Sequence, residues 1–251
     1  MQAFVDLLRN NRNYRLTWFG QVVSEVGDHF NNIAVFSLAL GNTGSGMVVS
    51  GIMLSRAVPI LFAGPLAGVL LDRLDRRRLM IASDAVRAVI ALLFVFALGR
   101  EQTWLLFVLS ALLMFASPFF SSGRSAILPA IATPAELHTA NSLTQTTQWT
   151  TTAIGGLLAG IAVNRFGYQW AFALNALSFV FSAVCILLLR PPSEGFRAKA
   201  VSSKAGWHDY RQGLAYMQSI PLIFAIAMIH VGWATGGGAA QVLFGLFGDR
   251  V

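Results

Sequence analysis

Charge is what this sequence has least of. Only 12% of its 251 residues are Asp, Glu, Lys or Arg, about half the share that keeps a soluble domain's surface wet. A water-soluble globule is therefore excluded. Cysteine is nearly absent too: the single Cys185 lies inside an apolar run, which excludes an intramolecular disulfide and a Cys-based metal cluster. Lysine occurs only as Lys199 and Lys204, both outside any apolar run, so no buried lysine could carry a retinal Schiff base. No short apolar core followed by a small-residue cleavage site opens the chain, and no cleaved leader is expected.

What is there instead is 55% hydrophobic residues and a mean hydropathy of +0.63. The apolar residues gather in runs long enough to cross a bilayer as helices, about 20 residues each. Spans are expected at Tyr14–Leu40, Gly46–Leu71, Leu79–Leu98, Trp104–Leu128, Asn141–Val163, Trp170–Leu189 and Leu222–Phe247. The net charge of +7 does not indicate nucleic acid, because the basic residues sit mostly in loops between the runs and not on one folded face. They set topology instead. Arg9, Arg12 and Arg15, then Arg73, Arg76, Arg77 and Arg78, then Arg190, Arg197, Lys199, Lys204 and Arg211 all fall on one side, whereas the opposite loops carry Arg100 and Arg165. Positively charged loops stay in the cytoplasm, so a cytoplasmic N-terminus follows.

Three segments are expected. Residues 1–190 form a six-helix unit, 191–221 a cytoplasmic linker and 222–251 a seventh transmembrane helix. The linker opens with Pro191 and Pro192 and then places Trp207, Tyr210, Leu214 and Met217 at helical spacing, the pattern of a helix lying along the interface.

An internal repeat carries more information than composition. AGPLAGVLLDRLD (63–75) aligns without gaps on GGLLAGIAVNRFG (155–167), with Gly64 on Gly156, Ala67 on Ala159, Gly68 on Gly160 and Arg73 on Arg165. The copies end spans 2 and 5, so the repeating unit is three helices. An odd unit inserts its second copy upside down, the inverted repeat of secondary transporters. Gly64, Gly155, Gly156 and Gly160 are expected to let helices approach closely.

The stretch GVLLDRLDRRRLM (68–80) joins two spans across a tight turn. Gly68 leaves room for a neighbour. Asp72 puts a carboxylate at a helix C-terminus, where the dipole disfavours it, so it should answer a partner. The chain here resembles the loop between helices 2 and 3 of the major facilitator superfamily, G-x-x-x-D-R-x-G-R-R-R, with Asp75 in place of the loop glycine. WFGQVVSEVGD, IASDAVRA and ILPAIATPAELHTANSL are similar to that superfamily's macrolide-efflux and enterobactin-exporter-like branch. The antiporter pattern G-P-x-x-G-G survives only as Gly155, Gly156 and Gly160.

The resemblance implies a bundle of two inverted three-helix repeats, an all-α polytopic fold, and a bacterial inner-membrane efflux protein exporting small amphiphilic molecules such as drugs or siderophores by proton antiport. It implies no cofactor, no metal and no enzymatic activity. Gly68, Asp72, Arg73, Arg76 and Arg77 are then its conformational-switch loop. Such transporters have twelve helices, so the chain reads as one half plus a seventh span and as incomplete. A half-length transporter that dimerises and a seven-helix receptor are the alternatives.

Ionisable residues at membrane depth are functional candidates. Glu25 and Asp28, three apart in span 1, share a helix face, and Arg56 reaches a comparable depth in span 2. The three are candidates for proton coupling, with Arg56 expected beside the carboxylates. Asp84 and Arg87 are expected to satisfy each other locally. Arg124 is expected to snorkel or to answer Asp72, and His230 to be a packed residue. Span 5 begins with an unusually polar stretch, in which Gln145, Gln148 and Trp149 are candidates for lining a substrate cavity.

Overall fold

Capping residues decide where the long apolar runs become helices. Asn11 accepts the Tyr14 N–H at 2.9 Å and starts α2 (Arg12–Thr43), which ends at Gly44 in the left-handed conformation (φ 64°) with its N–H on Leu40 O. A short amphipathic helix, α1 (Gln2–Asn10), precedes it. Then come α3 (Gly46–Arg73), α4 (Arg76–Leu93, running on through a 3-10 turn at Phe94–Ala97), α5 (Thr103–Ile131), α6 (Pro134–Phe166) and α7 (Tyr168–Leu187). The structure, a computed structural model, describes residues 2–191, 196, 211, 215–229, 232 and 236–237. Linker residues Trp207, Tyr210 and Leu214, and His230 with most of the expected seventh span, lie outside the described residues. Residues 222–229 within that span are helical.

α6 begins earlier than the apolar run suggests. Thr133 and Glu136 close a capping box: Thr133 Oγ1 accepts the Glu136 N–H, and Glu136 Oε2 accepts the Thr133 N–H at 2.8 Å. These hydrogen bonds, led by the backbone one, hold the Glu136 carboxyl below its ordinary range.

Asp75 has a similar part. Its φ of −67° is ordinary, and its carboxylate accepts the Arg78 N–H at 2.9 Å, so it is the N-cap of α4. No glycine conformation is needed there: the turn is closed by a side-chain cap.

α3, α4, α5 and α7, with their flanking 3-10 turns, are long and apolar enough to span a membrane by length and composition. α2 and α6 are as long but more polar, and their polar residues meet each other. The strongest packing joins α2 to α7, α3 to α5, α2 to α6, α4 to α7 and α4 to α5. Exchanging α2 with α5, α3 with α6 and α4 with α7 maps this pattern onto itself. That is the signature of two related three-helix units. The sequence repeat follows the same exchange: Ala63 and Gly155 are buried, as are Ala67 and Ala159, while Leu66 and Leu158 are exposed.

Two apolar cores result. One, at the arginine-rich end, gathers Leu7, Tyr14, Met80, Phe120, Ile127, Ala140 and Ile186. The other holds Val35, Leu38, Ile52, Phe94, Leu106, Leu113, Phe172 and Phe179. Between them lies a layer of ionisable and amide side chains.

Candidate functional site

The polar layer is built on α2. Gln21, Glu25, Asp28 and Asn32 recur at intervals of four, three and four, which stacks them along one face. Glu25 lies about 20 Å along the helix from Arg12. An adjacent face of α2, about 100° round the helix, docks on α7 through small residues. A Cβ on Gly20 would lie 3.3 Å from Cys185 Cβ, and one on Gly27 would lie 2.7 Å from Ser178 Cβ and 2.8 Å from Asn175 Oδ1. These are the close approaches of α2, and the small-residue series Gly20, Ser24, Gly27 signals them in the sequence.

Glu25 joins three helices. Its Oε1 accepts from Gln21 Nε2 at 2.8 Å and its Oε2 from Thr151 Oγ1 of α6 at 2.8 Å, while Arg124 Nη1 of α5 lies 3.9 Å from Oε1. Both ion-pair side chains keep slight exposure, 18% and 19%, so the pair is neither sealed nor fully solvated. Arg124 therefore points inward to Glu25, not to Asp72 or to the interface. Around it, Trp18 Nε1 donates to Thr147 Oγ1 at 2.8 Å and Tyr14 Oη to Ala140 O at 2.9 Å. Thr147 and Thr151 thus serve the α2 contact, whereas Gln145, Gln148 and Trp149 stand on the exposed side of α6.

Asp28 and Arg56 are not joined. Arg56 Nη2 donates to Asn32 Oδ1, and its guanidinium lies 5.3 Å from the Phe36 ring centroid. Asp28 experiences the charges of Arg87, Arg56, Glu25 and Asp84 through space. The expectation that Arg56 sits against the carboxylates is corrected to this extent: Asn32, one turn beyond Asp28, takes the guanidinium.

A second ion pair occupies the interior. Asp84 and Arg87, 0% and 4% exposed, pair on α4, and the guanidinium is held between the rings of Phe120 and Phe179, at 4.7 and 4.3 Å. This matches the local pairing expected from their spacing.

At the arginine-rich end, Arg77 Nε donates to Ile186 O at 3.1 Å and its Nη2 to Leu187 O, while Arg76 Nη1 donates to Ala126 O at 2.9 Å. Arg77 thus ties α4 to the last carbonyls of α7, and Arg76 ties it to α5. Asp72 is exposed and makes no ion pair among the described residues. A Cβ at Gly64, Gly68, Gly156 or Gly160 would meet no atom within 4 Å, whereas one at Gly155 would lie 2.8 Å from His29 Cδ2. Of the glycines expected at helix contacts, Gly155 alone has a close neighbour among the described residues.

The sequence model of the Major Facilitator Superfamily matches residues 17–251. Uncharacterized MFS-type transporter YfiS of Bacillus subtilis (strain 168) is 28% identical over 86% of this chain and 52% of its own length. Macrolide efflux protein A of Streptococcus pyogenes is 23% identical over 84% of this chain and 53% of its own. The chain spans about half the length of these relatives. An auto-inhibited POT family peptide transporter, 17% identical, superposes with a TM-score of 0.57 over 95% of this chain and 54% of that one, a likeness of fold.

Proposed function

Since the chain belongs to the Major Facilitator Superfamily, we propose that this multi-pass membrane protein supplies one half of an exporter of small amphiphilic molecules, driven by proton antiport through alternating access. The observation that carries the proposal is the Glu25 carboxylate, placed at membrane depth, gripped by Gln21 and Thr151 and loosely paired with Arg124. A structural ion pair would be sealed, as Asp84 and Arg87 are. A proton carrier needs partners it can release and a path to water, and Glu25 has both.

In this account protonation of Glu25 weakens its hold on Arg124 and frees α5 and α6 to shift against α2. Asp28, one turn further, shares the face and the field. Gln145, Gln148 and Trp149 line the substrate path, and Asp72 with Gly68 answers the half that faces this one. Arg73, Arg76 and Arg77 hold the N-terminus in the cytoplasm of a bacterial cell, and substrate moves outward across the inner membrane while protons move in. Efflux is supported by the likeness to macrolide efflux protein A.

The test is uphill transport in inverted vesicles bearing a complete transporter that carries this half. Accumulation of a transported amphiphile should cease when a protonophore collapses the pH gradient and should be lost in Glu25→Gln. Accumulation that persists without a pH gradient would refute proton coupling.

A further inference from the structure

Arg56 is a cation at membrane depth without an anion beside it. The ion pairs among the described residues are Arg87 with Asp84 and Arg124 with Glu25. Arg56 donates through Nη2 to a neutral amide, Asn32, and rests on Phe36, while its Nε is buried and has no hydrogen-bond partner. A guanidinium taken from water and left with an open edge is costly. Its planar fork matches the bidentate geometry of a carboxylate. One turn away on α2, Asp28 is the complementary case: a carboxylate that meets charges through space but makes no ion pair. Asn32 stands between the two, four residues from Asp28 and bonded to Arg56.

We propose that Asp28 and Arg56 form a two-point receptor for a zwitterionic substrate, with the ammonium of the substrate on Asp28 and its carboxylate on Arg56. The inference rests on the exporter reading and names its substrate class: amphiphiles carrying both an amine and a carboxylate. It also gives the exchange of substrate for proton a physical basis. A proton on Asp28 removes the charge that holds the ammonium, so proton and substrate compete for one carboxylate, while Arg56 fixes which way round the substrate lies. A purely anionic substrate would not compete in this way, because neutralising Asp28 would favour it.

The test is equilibrium binding to the purified 251-residue chain in lipid nanodiscs, read from dansyl fluorescence. Three matched probes are used: Nε-dansyllysine, which carries both charges; dansylcadaverine, which lacks the carboxylate; and Nα-acetyl-Nε-dansyllysine, which lacks the ammonium. Nε-dansyllysine should bind about tenfold more tightly than either of the others, the least that one charge-assisted contact supplies. Arg56→Gln should erase its advantage over dansylcadaverine, and Asp28→Asn its advantage over the acetylated probe. Arg56→Lys, which keeps the charge, should preserve part of the first ratio and carries the test should Arg56→Gln fail to fold.

Equal binding of the three probes, or a preference that survives Arg56→Gln, would overturn the receptor and leave Arg56 as a helix-pairing residue. Since no gradient enters the measurement, the outcome is separable from the exporter reading. Uphill efflux that fails while the ratios hold removes proton antiport and spares the receptor, and intact efflux with ratios of one does the reverse.

Discussion

The two arginine–carboxylate pairs should separate stability from transport. Arg87 and Asp84 are sealed at 4% and 0% exposure, and Arg87 is held between two rings. Arg87→Met leaves Asp84 charged and unpaired in the interior, which costs about 3–5 kcal/mol. The lost ring contacts cost up to about 2 kcal/mol more, offset in part by sulfur–aromatic contacts of the methionine. Adding Asp84→Leu removes the stranded charge and should recover most of the loss. Arg124 lies 3.9 Å from Glu25 with both side chains slightly exposed, and Glu25 keeps its bonds from Gln21 and Thr151. Arg124→Met should therefore cost under about 1 kcal/mol. Unfolding by dodecyl sulfate titration in mixed micelles measures both. In a complete transporter the order should reverse: Asp84→Leu with Arg87→Met retains uphill efflux, and Arg124→Met loses it. A larger stability loss in Arg124→Met than in Arg87→Met would refute the reasoning, as would unimpaired efflux in Arg124→Met.

Gly27→Ala places a methyl 2.7 Å from Ser178 Cβ and should lower stability by about 1–3 kcal/mol. Ser178→Gly should restore much of it in the double variant, and an unchanged unfolding midpoint in Gly27→Ala would contradict the close contact of α2 with α7. Glu136 is held below its usual 4.5 by its capping bonds, so its contribution is complete above that value and lost as pH falls through the folded-state value. Glu136→Ala should flatten the decline of thermal stability below about pH 4.5, and a profile parallel to the parent would contradict the capping box. Cysteine-accessibility mapping should label positions in 73–78 from the cytoplasm and positions in 99–103 from outside, and the reverse would overturn the orientation.

Local chemistry in the sequence announced most of the fold. The apolar runs place six long helices within a few residues of where they lie, except that α6 begins at Pro134, well ahead of the expected Asn141, and the repeat of 63–75 at 155–167 anticipates the exchange symmetry of their packing. What could not be read was partnership across the chain. Glu25 and Thr151 are 126 residues apart, and nothing local says that Arg124 turns inward to meet them. The spacing of Glu25 and Asp28 puts both on one face of α2, but Arg56 binds the amide of Asn32, one turn beyond Asp28, a contact between α2 and α3 that no local pattern announces. Glycine spacing misled in one respect: small residues mark a surface that can be approached, and Gly64, Gly156 and Gly160 have no neighbour among the described residues, whereas Gly20 and Gly27 do. α1 escaped notice because nine residues are too few to show a periodic run.

The central claim is that substrate and proton move in opposite directions through the carboxylates of α2. Its most direct test is proton flux driven by substrate alone, in proteoliposomes bearing a complete transporter that carries this half, with a pH dye inside and no imposed pH gradient. Downhill movement of a transported probe should drive protons the opposite way in the parent. In Asp28→Asn and Glu25→Gln the probe should still exchange across the membrane, but without proton movement. Undiminished counter-flow of protons in both variants, or protons moving in the same direction as the probe, would contradict the account.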